Sequence, residues 1–213
     1  MDIIYQKNLP KRLKEINDSP KKMFVYGKEE IMYSDKIIAV VGSRYPTAEG
    51  KKNAEKFSME LAKEGFVIIS GMAMGIDTSA HQGAIDASGK TIAVIGCGVN
   101  IDYPKSNYEL KRTLLNNHLV ISEYDSDIEA KGYHYPYRNR IISGLSIGVL
   151  VVESKIKSGT MTTVNHALNQ GKPVFVIPGS INSTMSEGNN YLLKLGAVPV
   201  TEAKDIIDYF NFI

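Results

Sequence analysis

From Lys36 onward, short apolar runs alternate with longer amphipathic segments, and this alternation constrains the fold more than any other feature of the chain. The runs are Ile37–Val41, Phe66–Ser70, Thr91–Ile95, Leu119–Ser122, Gly148–Val152, Val174–Ile177 and Ala197–Val200. Most are continuous and β-branched, which suits parallel strands covered on both faces. Helices are expected at Thr47–Glu64, Asp77–Ser88, Thr160–Gln170 and Glu187–Leu195, each stopped by a glycine. Ser106 and Glu109 have capping-box spacing and open a further helix to about Asn116. Right-handed crossovers then give an α/β fold, a doubly wound, mostly parallel sheet. Residues 36–213 are expected to form this doubly wound domain. Residues 1–35 read as an N-terminal extension packed on the same domain, with a short basic helix (Pro10–Ile16) and a possible strand at Met23–Tyr26.

The same sequence excludes several function classes. No apolar stretch approaches the ~20 residues of a membrane span, and the N-terminus lacks the apolar core of a signal peptide, so a cytoplasmic protein is expected. The single cysteine, Cys97, rules out an internal disulfide framework and a cysteine-based zinc cluster, and it reads as a small buried residue. His118 and His134 lack partners at ligand spacing, so no metal is expected. A net charge of +2 with no polybasic tail makes any polyanion site local.

Two local features suggest such a site. The carboxyl ends of the strands, where ligands of this architecture bind, are crowded with small residues. They read Gly42-Ser43-Arg44, Ser70-Gly71, Gly96-Cys97-Gly98, Ser158-Gly159-Thr160 and Pro178-Gly179-Ser180. Glycine lets backbone N–H groups approach an anion, and a following helix start favours negative charge, so a phosphate-binding rim is expected. The alternative is that the glycines only make tight turns. Neither the dinucleotide fingerprint nor the P-loop pattern is present, which argues against NAD and ATP as cofactors. The second feature is the window 131–140, KGYHYPYRNR, with three cations, three tyrosines and no acid. Single strands are bound by a cationic groove with aromatic faces, and Lys131, Tyr135, Arg138 and Arg140 supply both.

In combination these residues resemble a known family. The resemblance is carried by Gly42-Ser43-Arg44, Ser70-Gly71-Met72-Ala73-Met74-Gly75-Ile76-Asp77 with Ala80-His81, Tyr103-Pro104 with Asn107, and Ser122-Glu123. It continues through Arg138-Asn139-Arg140 to Ser146, Val152-Glu153 with Ser158-Gly159-Thr160, and Pro178-Gly179 with Gly188-Asn189. These motifs are similar to those of the DNA-processing protein A (DprA, also called Smf) family, over about residues 9–200. The resemblance implies an extended Rossmann-like fold that binds single-stranded DNA without sequence preference. It also implies protection of the strand, help in loading the RecA recombinase during natural transformation and recombination, action as a homodimer, no cofactor and no catalysis. No stretch here reads as the family's SAM-like or winged-helix domain.

On this basis the nucleic-acid-binding candidates are Gly42, Ser43, Arg44, Ser70, Gly71, Lys131, Tyr135, Arg138, Asn139, Arg140, Ser158, Gly159 and Thr160. Arg44 is expected to hold a phosphate, the rival being a pair with Glu49. Tyr135, where the family usually has phenylalanine, is the stacking candidate. At least one of Tyr133 and Tyr137 is expected in the core, and Arg140 has Glu153 as a possible partner. Asp77 and His81 share a helix face, but without a nucleophile motif they read as a helix cap and a loop anchor. The apolar C-terminus, with Ile207, Phe210 and Phe212, is either folded on its own sheet or part of a dimer face. The competing functions are a nucleotide-binding sensor and a nucleoside-monophosphate phosphoribohydrolase. The latter needs a glutamate where Thr163 stands.

Overall fold

The computed structural model describes residues 1–211. A single nine-stranded sheet runs through the molecule. Its strands are β1 (Asp2–Tyr5), β2 (Lys22–Gly27), β3 (Ile37–Val41), β4 (Val67–Ser70), β5 (Thr91–Val94), β6 (Leu119–Ser122), β7 (Gly148–Val151), β8 (Val174–Val176) and β9 (Val198–Pro199). Their order is β1-β2-β6-β5-β4-β3-β7-β8-β9, with β1 and β2 antiparallel and the remaining seven parallel. The expected parallel sheet is present. The extension adds two strands to it rather than one. β1 escapes the sequence because only Ile4 of its four residues is buried.

The helices are α1 (Lys11–Lys14), α2 (Ala48–Lys63), α3 (Ile76–Asp86), α4 (Tyr108–Asn117), α5 (His134–Leu145), α6 (Gly159–Asn169), α7 (Glu187–Lys194) and α8 (Ala203–Asn211). Alternate residues of β3 serve opposite layers. Ile37, Ala39 and Val41 pack with Leu13, Ile141, Val164 and Leu192, from α1, α5, α6 and α7. Ile38 and Val40 pack with Phe57, Leu61, Ala80 and Ile206, from α2, α3 and α8. At α2 the Thr47 side chain caps the helix, accepting from the Gly50 N–H at 2.9 Å. The capping box expected of Ser106 and Glu109 is not formed at α4, where Ser106 lies in a 3₁₀ turn and no side chain caps the helix.

Strand order reverses between β3 and β7. From β3 the chain winds toward β4, β5 and β6, and from β7 it winds toward β8 and β9. Loops leaving the carboxyl ends of β3 and β7 therefore part to opposite sides and leave a crevice, the usual ligand position in this architecture.

Candidate nucleic-acid interface

An open groove of about 570 Å³ occupies that crevice. Its walls are the end of β3 (Gly42 to Tyr45), one side of α5 (Tyr135, Arg138, Asn139), and the β7–α6 connection with the start of α6 (Lys155, Ser158 to Thr160). A narrower cleft of about 20 Å³ opens beside it, walled by Arg44, Met72, Met74, Tyr103 and Tyr135.

α5 brings most of the polar side chains to this place. Its N-terminus is pinned by His134, whose Nδ1 lies 3.0 Å from the Gly96 carbonyl and whose ring stacks on Tyr124 at 4.0 Å. Tyr135 then lies flat over Gly96, where an added Cβ would meet its ring at 3.0 Å. Tyr103 packs beside it at 5.4 Å, and the Arg44 guanidinium lies 5.4 Å above the same ring. Arg44 is exposed and makes no ion pair among the described residues, so the expected rival pairing with Glu49 is not formed. At the groove's other wall, the first turn of α6 contains no acid, Ser158 makes no side-chain cap, and Gly159 faces open space. The unfilled N–H groups of that turn carry the positive end of the helix dipole.

Beneath the groove the chemistry is internal. Arg138 is 3% exposed, and its Nη1 donates to the Gly71 carbonyl at 2.7 Å and to the Val94 carbonyl. Asp77 accepts from the Gly71 and Ala73 N–H groups at 3.1 and 3.2 Å. Both side chains close on the Cα of Gly71, where a Cβ would stand 2.6 Å from the guanidinium and 2.7 Å from the carboxylate. Burial pushes the Asp77 carboxyl up, against the attraction of Arg138. It also pulls Arg138 down to about 10, which leaves the guanidinium protonated at neutral pH. Asn107 clamps the same loop from the other side, donating to the Met72 carbonyl and Thr78 hydroxyl at 2.9 Å each. Met72 needs that support, since its φ of +58° is a left-handed conformation that a residue with a side chain rarely adopts.

The sequence-derived candidates therefore separate. Arg44, Tyr135, Asn139, Gly42, Ser43, Ser158, Gly159 and Thr160 all line the groove. Lys131 is exposed one residue before groove-lining Gly132. Ser70 is fully buried and donates to the Val40 carbonyl at 2.7 Å, so no strand can reach it. Arg138 lines the groove but is buried and bonded to carbonyls, and Arg140 lies outside the groove as a buried brace. Arg140, 3% exposed, spreads its fork on Glu123 at 2.6 and 2.7 Å rather than on Glu153. Glu153 instead receives the Thr47 N–H at 2.9 Å and its hydroxyl.

The glycine rim is also corrected in part. The Ser43 N–H is spent on the Glu153 carbonyl at 2.8 Å, and Gly42 is required by close packing against Ile76. Neither Tyr133 nor Tyr137 is in the core, at 67% and 44% exposure. Asp77 caps no helix. His81 bonds Thr91 of β5 at 2.7 Å rather than a loop. Ile207 and Phe210 pack against their own core, Phe210 on Phe66 and Phe175, while Phe212 lies outside the described residues. Sequence reasoning did not choose Lys155 and Tyr103. Lys155 follows Glu153 in the Gly-Thr connection, its one signal, whereas Tyr103 belongs to the Tyr103-Pro104 motif that carries the family resemblance but was given no role.

Residues 1–211 match the family described as DNA recombination-mediator protein A. The DNA processing protein DprA of Streptococcus pneumoniae is 44% identical over 203 residues, covering 95% of this chain and 71% of that protein. Its X-ray structure superposes with a TM-score of 0.93 at 41% identity, over 97% of this chain and 73% of that one. DNA processing protein A of Helicobacter pylori, whose single-stranded DNA binding mode has been described structurally, superposes with a TM-score of 0.90 at 31% identity. There the match covers 99% of this chain and 96% of that one.

Proposed function

The chain belongs to the DNA recombination-mediator protein A family, DNA-processing proteins of recombination, and from that premise we propose that its groove binds single-stranded DNA without sequence preference. One observation carries this reading: an exposed, unpaired Arg44 lies over the Tyr135 ring, opposite an uncapped helix start. Phosphate and base thus have separate receivers a short distance apart. A guanidinium and open N–H groups suit the backbone, and an aromatic face suits any base. The narrow cleft as it stands admits little more than a water, so a base entering it displaces Arg44 from the ring.

The function is binding rather than catalysis. Among the described residues Asp77 is the one carboxylate lining the groove, and it is committed to two backbone N–H groups beside the Arg138 guanidinium. Thr163 provides no acid or base where a phosphoribohydrolase needs one. The bound strand is protected and passed to RecA recombinase by a cytoplasmic homodimer, in which Ile207 and Phe210 would contribute their remaining exposed edges.

The test is fluorescence anisotropy of labelled oligo-dT at two salt concentrations with unlabelled duplex as competitor. Saturable binding that weakens with salt, resists duplex and falls on Arg44→Ala or Tyr135→Ala supports the proposal. Equal competition by duplex, or indifference to both substitutions, overturns it.

A further inference from the structure

A second hollow, of about 260 Å³, lies between the α1–β2 turn, the outer side of α5 and the end of α6, and nothing above uses it. Three cations line it, and all are spent. Lys172 directs its ammonium at the carbonyls of Ser143, Gly144 and Ser146, at 2.5 to 2.6 Å. Arg140 is held by Glu123 and Asp18, and Arg12 by the carbonyls of Leu145, Ser34 and Asp35. With the carboxylates of Glu15 and Asp18 also facing it, the hollow does not suit a phosphate.

What remains is neutral. Gln170 donates its Nε2 to the Arg140 carbonyl at 3.1 Å, and its Oε1 is buried without a partner among the described residues. Asn169 and His166 also line the hollow, and burial lowers the pKa of the imidazole. Tyr137 supplies a half-exposed ring backed by the Arg140 guanidinium at 3.8 Å. A flat, uncharged group with an N–H edge fits this set. Every nucleobase of DNA is flat and carries such an edge.

We propose that this hollow is a second base-receiving subsite for the same strand, adjacent to the one at Tyr135. The inference rests on the single-strand reading of the groove. The two spaces share a wall: Pro136 lines the groove, and the next residue of α5, Tyr137, lines the hollow. Along α6, groove-lining Thr162 and hollow-lining His166 are four residues apart, about 6 Å. A strand leaving the groove over Pro136 meets the hollow next, and its phosphates stay outside in solvent.

The test compares oligo-dT of about four and about twelve nucleotides, the short one long enough for the groove alone. Tyr137→Ala and the near-isosteric Gln170→Met are each expected to weaken the longer oligonucleotide about tenfold and leave the shorter one unchanged. Arg44→Ala weakens both. The second-subsite proposal is overturned if both variants bind both lengths like the parent, or if they weaken both lengths equally, since that would report a displaced α5. If the parent binds neither length, the single-strand reading itself falls and the subsite falls with it.

Discussion

Replacing Asp77 by alanine removes one carboxylate with two separate duties. It accepts from the Gly71 and Ala73 N–H groups, and it is the countercharge of a guanidinium that is 3% exposed. A buried donor left without a partner costs about 1–3 kcal/mol. Removing one member of a buried charge pair costs about 3–5 kcal/mol. The two contributions overlap because one carboxylate serves both, so Asp77→Ala should lose about 3–5 kcal/mol. For a domain of this length that lowers Tm by roughly 6–20 °C. Asp77→Asn separates the duties, since the amide keeps an acceptor oxygen and gives up the charge. Burial already raises the Asp77 pKa, which means the site holds the ionised form at a cost. The asparagine variant should therefore lose less than half as much as alanine. Thermal unfolding followed by circular dichroism, with urea unfolding for the free energies, measures both. An asparagine variant as unstable as alanine would refute the reasoning by making charge pairing, not backbone acceptance, the dominant duty. An alanine variant within about 1 kcal/mol of the parent would refute the brace altogether.

Three further outcomes follow from the same geometry. Arg44→Ala should leave Tm unchanged, because the side chain is exposed, and should reduce the log–log salt slope of oligo-dT binding by about 0.7, the share of one single-strand phosphate. Asn107→Ala frees the Met72 carbonyl and its left-handed backbone; a loss of about 1–3 kcal/mol in urea unfolding, with weaker oligo-dT binding, is expected. His81, fully buried beside Thr91, is lowered to about 3 by burial and by the positive neighbours His118 and Arg138. The unfolded chain takes up that proton below about pH 6.5 and the folded chain does not, so stability falls with pH. As the pH falls from 6.5 to 5 the parent should lose about 1.6 kcal/mol that His81→Gln does not lose, read from urea unfolding across pH.

The sheet was legible because its parallel strands are short, continuous and buried on both sides, a pattern few other structures share. α5 was not legible. Pro136, Gly144 and a cluster of tyrosines obscure its helical period, and its buried side carries Arg138 and Arg140, which any polarity pattern assigns to solvent. Their partners, Gly71, Val94 and Glu123, lie 67, 44 and 17 residues away and leave no local trace. The place of the groove was readable from strand ends. Its working groups were only partly so, because a glycine that lets Ile76 approach and a glycine that faces open space, such as Gly42 and Gly159, look alike in a sequence. α8 was read only as an apolar tail, although Asp205 accepts the Thr201 N–H at 2.7 Å and starts a regular helix there.

The layers on the two sides of the sheet meet above the ends of β4 and β5, where Asp77 of α3 and Arg138 of α5 close on one glycine. A strand gripped there is tethered to rigid backbone rather than to a loose loop. Tension on the nucleic acid, as when another protein polymerises along it, would pass through α5 into the central strands and be shared by both layers. The groove should hold its shape under load, and the cargo should be released with the fold intact.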